Sequence, residues 1–158
     1  MQKTINIKKY YLIIFFISII SLLFAIYIEY LLNQKPCKLC LYQRIPYLIS
    51  IFICFFGFNY HKNLFWAYIL IFVFILSSVI SGYHVGIEND IFKEFSGCTS
   101  ENLQIIDKTK LLESLKNMPS CKDVNFRLFG FSLANINFII SLIITISSIS
   151  ILKNEKNK

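Results

Sequence analysis

The sequence contains four long apolar stretches separated by polar segments, at residues 10–28, 41–60, 64–82 and 130–152. A bilayer core is crossed by a helix of about 20 apolar residues, and each stretch approaches that length. Backbone polar groups inside lipid must be paired within each segment, so we expect helices despite the many β-branched isoleucines. The pattern predicts an all-α membrane protein, a four-transmembrane-helix bundle in which residues 1–158 form a single integral membrane domain.

Two of the predicted connections lie on the same side of the membrane. The first, residues 29–40, is short, whereas the connection between spans three and four, residues 83–129, is long. Lysines flank the first and last spans, and the positive-inside tendency therefore places both termini in the cytoplasm and these two loops in the periplasm. Glu29, at the end of the first span, is expected to be solvated.

The composition agrees with a membrane protein and argues against other classes. The chain is 56% hydrophobic, which is too apolar for an ordinary soluble domain, and its net charge is +7. The basic residues lie beside the apolar stretches and not on one face of a soluble fold, so we expect no nucleic-acid partner. The first stretch is too long for a signal peptide and no small-residue cleavage site follows it, so a retained span is expected.

Four of the five cysteines fall in the two predicted periplasmic loops. Cys37 and Cys40 form a C-x-x-C motif in the first loop, and Cys98 and Cys121 lie in the long loop. Disulfide chemistry persists in oxidising compartments such as the periplasm, in agreement with the lysine pattern. Cys54 lies alone in the second span, where we expect it to act as a small apolar residue in a helix interface.

Three kinds of site are open for the four loop cysteines: redox-active dithiols, structural disulfides, and a thiolate metal site. A bridge between Cys37 and Cys40 closes a loop too short to stabilise the chain much, which favours a redox role for this pair. A structural bridge between Cys98 and Cys121 remains open. A zinc ribbon normally supplies two C-x-x-C motifs and this chain has one, so we expect no metal.

Two further side chains are candidates for the same site. If the second helix begins near Pro36 or Cys37, then Cys40 and Arg44 lie four residues apart on one helix face. The guanidinium and the helix N-terminus would then both stabilise a Cys40 thiolate. The alternative for Arg44 is an interfacial anchor that reaches towards lipid head groups.

His84 lies at the end of the third predicted span, near the same interface. Its functional interpretation is a hydrogen-bond donor to a quinone carbonyl or a proton relay. The alternative is an interfacial histidine beside an interfacial tyrosine, with no part in the chemistry.

Several segments together resemble the DsbB family of membrane disulfide-bond formation proteins. Residues 36–44 read PCKLCLYQR and are similar to the family signature P-C-x-L-C-x-x-Q/E-R. Residues 83–88, YHVGIE, look like its Y-H-x-G-x-E segment, and residues 130–137, GFSLANIN, look like its G-L-S-x-A-x-W-N segment. Ile136 stands where the family often has tryptophan. With the second cysteine pair and four spans in the same order, the resemblance covers nearly the whole chain.

This resemblance implies a thiol:quinone oxidoreductase of the bacterial inner membrane that supports protein disulfide bond formation. Its partner would be a DsbA-like periplasmic protein of the thioredoxin fold, whose dithiol attacks Cys98 while Cys121 leaves. Cys121 would then exchange with Cys37, and Cys40 would pass the electrons to a quinone, either ubiquinone or menaquinone.

The resemblance also gives Arg44 the role of holding the quinone and the thiolate together, with help from His84. Gln43 matches the family signature, but no chemistry is assigned to it. Two other functions remain open. One is a nonenzymatic four-span scaffold with structural disulfides, and the other is a related membrane thiol oxidoreductase that runs in another direction or reduces a quinone epoxide.

Overall fold

The structure is a computed structural model, and it describes residues 6–60, 63–93, 120–122, 127–128 and 130–156. Cys98 and most of the predicted long loop therefore lie outside the described residues. Within the described part, four helices are long and apolar enough to cross a membrane. This confirms the predicted all-α fold with four spans.

The described helices, in chain order, are α1 (Ile7–Tyr30), α2 (Lys38–Tyr42), α3 (Ile45–Asn59), α4 (Phe65–Glu88) and α5 (Leu133–Lys156). Helices α2 and α3 follow each other closely and together form the second span. Two short antiparallel strands, β1 (Arg127–Leu128) and β2 (Phe131–Ser132), precede α5. The apolar pattern of the sequence did not predict this hairpin.

Side-chain caps explain where two of the long helices begin. The Asn6 side chain accepts a hydrogen bond of 3.1 Å from the backbone N–H of Lys8 at the start of α1. At the start of α5, Ser132 Oγ accepts one of 3.2 Å from the backbone N–H of Asn135. Such caps satisfy amide groups that have no partner within the helix. Gly130, between the two strands, has a φ of +86°, a left-handed conformation that glycine adopts without steric cost.

The second span is interrupted between α2 and α3. Pro46 occupies the first turn of α3 and has no backbone N–H to donate to the carbonyl of Tyr42. Its ring also conflicts with that carbonyl in a continuous helix, so the chain turns at Gln43 and Arg44. Gln43 and Arg44 nevertheless keep helical dihedral angles, so Cys40 and Arg44 remain four residues apart within one span, and both border the same cavity, as the predicted shared face requires.

Helix α4 is longer than predicted. The apolar pattern placed its end at residue 82, but the helix continues to Glu88, and residues 83–88 are helical instead of forming the start of a loop. His84 and Ile87 in this extension are buried, with 3% and 1% of their surface exposed. The helix can continue through polar residues here because His84 packs against Cys37.

The helices pack as neighbours in the order α1, α3, α4 and α5. Serine pairs lie between them: Ser18 Oγ and Ser50 Oγ are 2.6 Å apart between α1 and α3, and Ser77 Oγ and Ser141 Oγ are 2.8 Å apart between α4 and α5. Small residues that form hydrogen bonds across helices are typical of membrane interfaces, where lipid removes the hydrophobic drive to associate.

The two ends of the bundle differ. At the end that carries Ile7 and Lys156, here called the terminal end, Tyr10 Oη of α1 lies 3.0 Å from Ser147 Oγ and 2.7 Å from Ser148 Oγ of α5. At the opposite end, here called the cysteine end, the facing parts of α1 and α5 line a cavity. The described residues of the predicted site, Cys37, Cys40, Arg44, His84 and Cys121, lie at this second end.

Candidate functional site

Cys37 and Cys40 lie at the start of α2. Cys37 is the N-cap residue, and its Sγ accepts a hydrogen bond of 3.2 Å from the backbone N–H of Cys40. Neither sulfur is in a disulfide. The helix N-terminus therefore directs this amide at the Cys37 sulfur, whereas the sequence had suggested that its positive potential acts on Cys40.

Cys121 lies next to Cys37 in three dimensions, 84 residues away in the sequence. The two belong to one buried cluster with Leu39 and Ile87, and Cys40 packs against it. Only 5% of Cys37 and 2% of Cys121 is exposed. The structure thus brings together three of the four predicted redox cysteines. Cys98 lies outside the described residues, so its pairing with Cys121 stays a prediction.

The contact between these sulfurs changes the acidity of Cys37. The pKa of the Cys37 thiol is raised well above its usual range, first because the thiol hydrogen-bonds with Cys121 and Cys40, and further because it is buried. A hydrogen bond donated by the neutral form disfavours ionisation, and so does the loss of solvent. Cys37 in the reduced site is therefore a neutral thiol near neutral pH.

His84, on α4, faces the cysteine cluster. Its Nε2 lies 3.2 Å from the carbonyl oxygen of Cys121 and 3.7 Å from Cys37 Sγ, and its Nδ1 lies 2.9 Å from Gln43 Nε2. A carbonyl oxygen can only accept, so the proton is on Nε2 and points towards the cysteines. Nδ1 then accepts from the Gln43 amide. His84 also borders the cavity, but its N–H is directed at the sulfur side.

Gln43 is a member of the site that the sequence analysis left without a role. Its side chain is 7% exposed and forms the hydrogen bond that fixes the tautomer of His84. The sequence feature that could have identified Gln43 as a site residue is its position in the family signature segment, three residues after Cys40. Its partner could not be predicted, because the long α4 helix that carries His84 to it was predicted to end earlier.

Three potential metal ligands also meet here. The Sγ atoms of Cys37 and Cys40 and a ring nitrogen of His84 lie within 4.8 Å of one another. Thiolates and imidazole are ligands that zinc prefers. A ligating nitrogen must present a lone pair, however, whereas His84 Nε2 donates its proton to the Cys121 carbonyl. The arrangement is that of a hydrogen-bonded thiol cluster.

Arg44 is paired with Glu29 of α1. One guanidinium nitrogen lies 2.5 Å from Glu29 Oε2, and the two side chains are 22% and 26% exposed. The expectation that Glu29 is solvated is therefore wrong, because the turn before α3 directs Arg44 across to α1. Sequence alone could not find this pair, since its members lie in different helices.

A cavity of about 190 Å³ lies beside these residues and extends between the helices. Its wall is largely apolar and comes from α1 and α5, with the side chains of Leu22, Phe24, Ala25, Ile28, Ala134, Ile136 and Ile140. Cys40 and Arg44 border it at the cysteine end, and Tyr47 and Asn137 border it between α3 and α5. Reactive sulfur and a fixed positive charge thus adjoin an apolar chamber.

Glu88 joins the end of α4 to the start of α5. Its Oε2 accepts a hydrogen bond of 2.5 Å from Ser132 Oγ, and its Oε1 lies 3.8 Å from His84 Nε2. The side chain is 9% exposed and borders the same cavity. The two segments that resemble family motifs, residues 83–88 and 130–137, therefore meet at this point.

Comparison with known proteins agrees with this arrangement. A sequence model of the family described as "Disulfide bond formation protein DsbB" matches residues 7–151. An uncharacterized protein of Rickettsia prowazekii, RP370, is 30% identical over 142 residues, which is 85% of this chain and 81% of that protein. Disulfide bond formation protein B of Acinetobacter baumannii is 26% identical over 125 residues, 73% of each chain. Since the family match covers all four spans and the cysteine cluster, this chain belongs to the DsbB family.

Proposed function

We propose that this chain is a membrane thiol:quinone oxidoreductase that re-oxidises a DsbA-like periplasmic dithiol protein. Membership of the DsbB family supports membrane disulfide bond formation and implies a disulfide oxidoreductase. The observation that carries the finer proposal is the position of Cys37, which lies between Cys121 on one side and Cys40, at the wall of an apolar cavity, on the other. The proposed thiol relay therefore ends at Cys40, which also borders the apolar cavity.

The proposed route begins at the long loop. The dithiol of the partner becomes a disulfide and reduces a Cys98–Cys121 bond through a mixed disulfide at Cys98. The Cys121 thiolate then attacks Cys37 of a Cys37–Cys40 disulfide. A Cys121–Cys37 bond forms, the Cys37–Cys40 bond breaks, and the electron pair remains on the Cys40 sulfur. The contact between Cys121 and Cys37 in the buried cluster supports this exchange.

Neighbouring side chains are suited to the negative charge that the exchange leaves on Cys40. Arg44 borders the same cavity and keeps its positive charge at any physiological pH. His84 Nε2–H, held in that tautomer by Gln43, bonds the Cys121 carbonyl and lies 3.7 Å from Cys37 Sγ, so it can stabilise charge on Cys37 when that sulfur is later released as a thiolate. Cys98 then attacks Cys121, which re-forms the Cys98–Cys121 bond and releases Cys37 as a thiolate. The Cys37–Cys40 bond re-forms when two electrons and two protons pass from this dithiol to the acceptor, which completes one turnover.

The cavity fits a quinone headgroup. Its apolar wall suits a flat ring and the start of an isoprenoid tail, and Arg44 supplies N–H donors for a carbonyl oxygen. When bound, the quinone, ubiquinone or menaquinone, supplies the two-electron acceptor. The protein's own contribution is to hold Cys40 at the boundary of this space.

The proposed location is the bacterial inner membrane. Lysines at both ends of the chain favour cytoplasmic termini, which places the cysteine end of the bundle in the periplasm. A periplasmic thioredoxin-fold partner could reach Cys121 and its loop only from that side.

The test is quinone reduction by the purified protein with a reduced DsbA-like protein as the electron donor. We expect turnover that is lost in both Cys40→Ala and Cys98→Ala, because each removes one pair of the relay. Cys54→Ala is the matched control, since Cys54 is buried in the other hydrophobic cluster and should keep full turnover. No turnover with any quinone, together with stable disulfides, would instead favour the scaffold function.

A further inference from the structure

We propose that Asn137 of α5, oriented by Tyr47 of α3, is a hydrogen-bond donor to the quinone headgroup, separate from Arg44. The inference rests on the proposed function, because it assumes that a quinone occupies the cavity beside Cys40. It adds a binding residue on the wall formed by α3 and α5, and neither the apolar pattern nor the cysteine spacing had indicated one there.

The first observation is a buried hydrogen-bond donor that has no acceptor among the described residues. Asn137 Oδ1 accepts a hydrogen bond from the Tyr47 hydroxyl, 2.5 Å away. Asn137 Nδ2 is buried, and no hydrogen-bond acceptor for it exists among the described residues. Buried amide groups without partners are rare in native proteins because desolvation without a replacement bond is costly. This donor lies in a residue that lines the cavity.

The second observation is that the orientation of the amide is fixed. Tyr47 is 5% exposed, and its ring packs edge-on against Phe74 with centroids 5.8 Å apart. The hydroxyl therefore has a defined position, and its hydrogen points at Asn137 Oδ1. Because the oxygen of the amide is engaged by Tyr47, its two N–H bonds point elsewhere and have no acceptor among the described residues.

The third observation is the chemistry of the surrounding wall. The cavity that Asn137 borders is lined mainly by apolar side chains, among them Leu22, Ala25 and Ile140. An acyl chain would fill such a space and leave the amide without a bond. A quinone ring is flat and largely apolar, and it carries two carbonyl oxygens on opposite edges that accept but cannot donate. Two separate donors in one apolar cavity, Asn137 and Arg44, match two such acceptors.

The test measures binding as well as turnover. Asn137→Leu keeps the size of the side chain and removes the donor. We expect quinone to bind the purified variant about fivefold more weakly, as the loss of one neutral hydrogen bond predicts. In the infrared difference spectrum of bound quinone, one carbonyl stretch should move to higher frequency, because a carbonyl that loses its hydrogen bond stiffens.

The matched control is Asn59→Leu, which makes the same substitution at an exposed position outside the cavity wall. It should leave both the affinity and the carbonyl frequencies as in the wild type. Unchanged binding and an unchanged spectrum in Asn137→Leu would overturn the inference while leaving the proposed function intact. Absence of quinone binding by the wild type would instead overturn the proposed function itself.

A measurement on the wild type covers the case in which Asn137→Leu does not fold. Quinone labelled with ¹³C at one carbonyl or the other allows the two stretches to be assigned separately. Both should lie below their frequencies in a hydrocarbon solvent if each oxygen accepts a hydrogen bond. One carbonyl at its hydrocarbon frequency would show that the second donor is not used, and the role of Asn137 would be rejected.

Discussion

At the scale of single residues, the site depends on how neighbouring side chains fix one another. Gln43 fixes the tautomer of His84, and His84 directs its proton at the cysteines. The cysteines themselves could be identified from their spacing and from a family resemblance. The bond between Gln43 and His84 could not, because 41 residues separate them and only the packing of α4 against α2 joins them.

The raised pKa of Cys37 gives a testable pH dependence. Its folded-state pKa lies above the ordinary thiol value, so the thiol persists to higher pH than in an unfolded chain and the reactive thiolate forms less readily. In the fully reduced protein we expect alkylation of Cys37 at pH 8 to be at least about tenfold slower than that of a cysteine peptide, since each unit of pKa changes the thiolate fraction about tenfold. Peptide mapping by mass spectrometry measures this rate.

Cys121→Ala is the informative comparison, because the hydrogen bond with Cys121 is the largest cause of the raised pKa. Its removal should shift the alkylation profile of Cys37 to lower pH. Identical profiles in the two proteins would show that burial alone slows the reaction.

At the scale of elements, the number of spans was predictable and their ends were not. Long apolar stretches identify helices because backbone N–H and C=O groups inside lipid must form their hydrogen bonds within the segment. The end of α4 was missed because polarity was taken as the sign of a loop, whereas His84 and Glu88 are polar residues that face the site. The break before α3 was missed although Pro46 was visible, since the predicted span ran across it.

Pro46→Ala tests whether this break positions Arg44. The new backbone N–H can donate to the Tyr42 carbonyl, so α2 and α3 can join into one helix and move Arg44 away from Glu29. We expect the melting temperature to stay equal or rise. The apparent KM for quinone should rise about fivefold, which corresponds to roughly the free energy that one exposed ion pair contributes.

Glu29→Gln is the companion variant, because it removes the ion pair without straightening the helix. It should raise KM to a similar extent. A normal KM in Pro46→Ala together with a raised KM in Glu29→Gln would show that the helix break has no part in placing the guanidinium.

At the scale of the whole molecule, the bundle is joined at one end and opened at the other. Tyr10 connects α1 to α5 at the terminal end, and serine pairs join α1 to α3 and α4 to α5. At the cysteine end the same two outer helices leave the cavity between them. This division was not predictable from the sequence, because hydropathy places helices in a membrane without saying which neighbours touch.

The orientation of the bundle can be tested by labelling. In a variant without native cysteines, Asn89→Cys and Asn154→Cys place single thiols at exposed positions near opposite ends. A membrane-impermeant maleimide applied to cells with a permeabilised outer membrane should label position 89 and leave position 154 unlabelled until lysis. The reverse pattern would place the cysteine end in the cytoplasm and remove the basis for a periplasmic partner.

Phe24 lines the cavity, and 40% of its surface is exposed, in a helix that is long and apolar enough to cross a membrane. If a ligand enters the cavity between the helices past this ring, it arrives from the hydrocarbon phase and not from bulk water. The concentration that governs binding of such a ligand is therefore its mole fraction in the bilayer or micelle, and not its molarity in the whole solution. Adding detergent at a constant total amount of such a ligand lowers this mole fraction, so the occupancy of the cavity falls although the molar concentration of the ligand is unchanged.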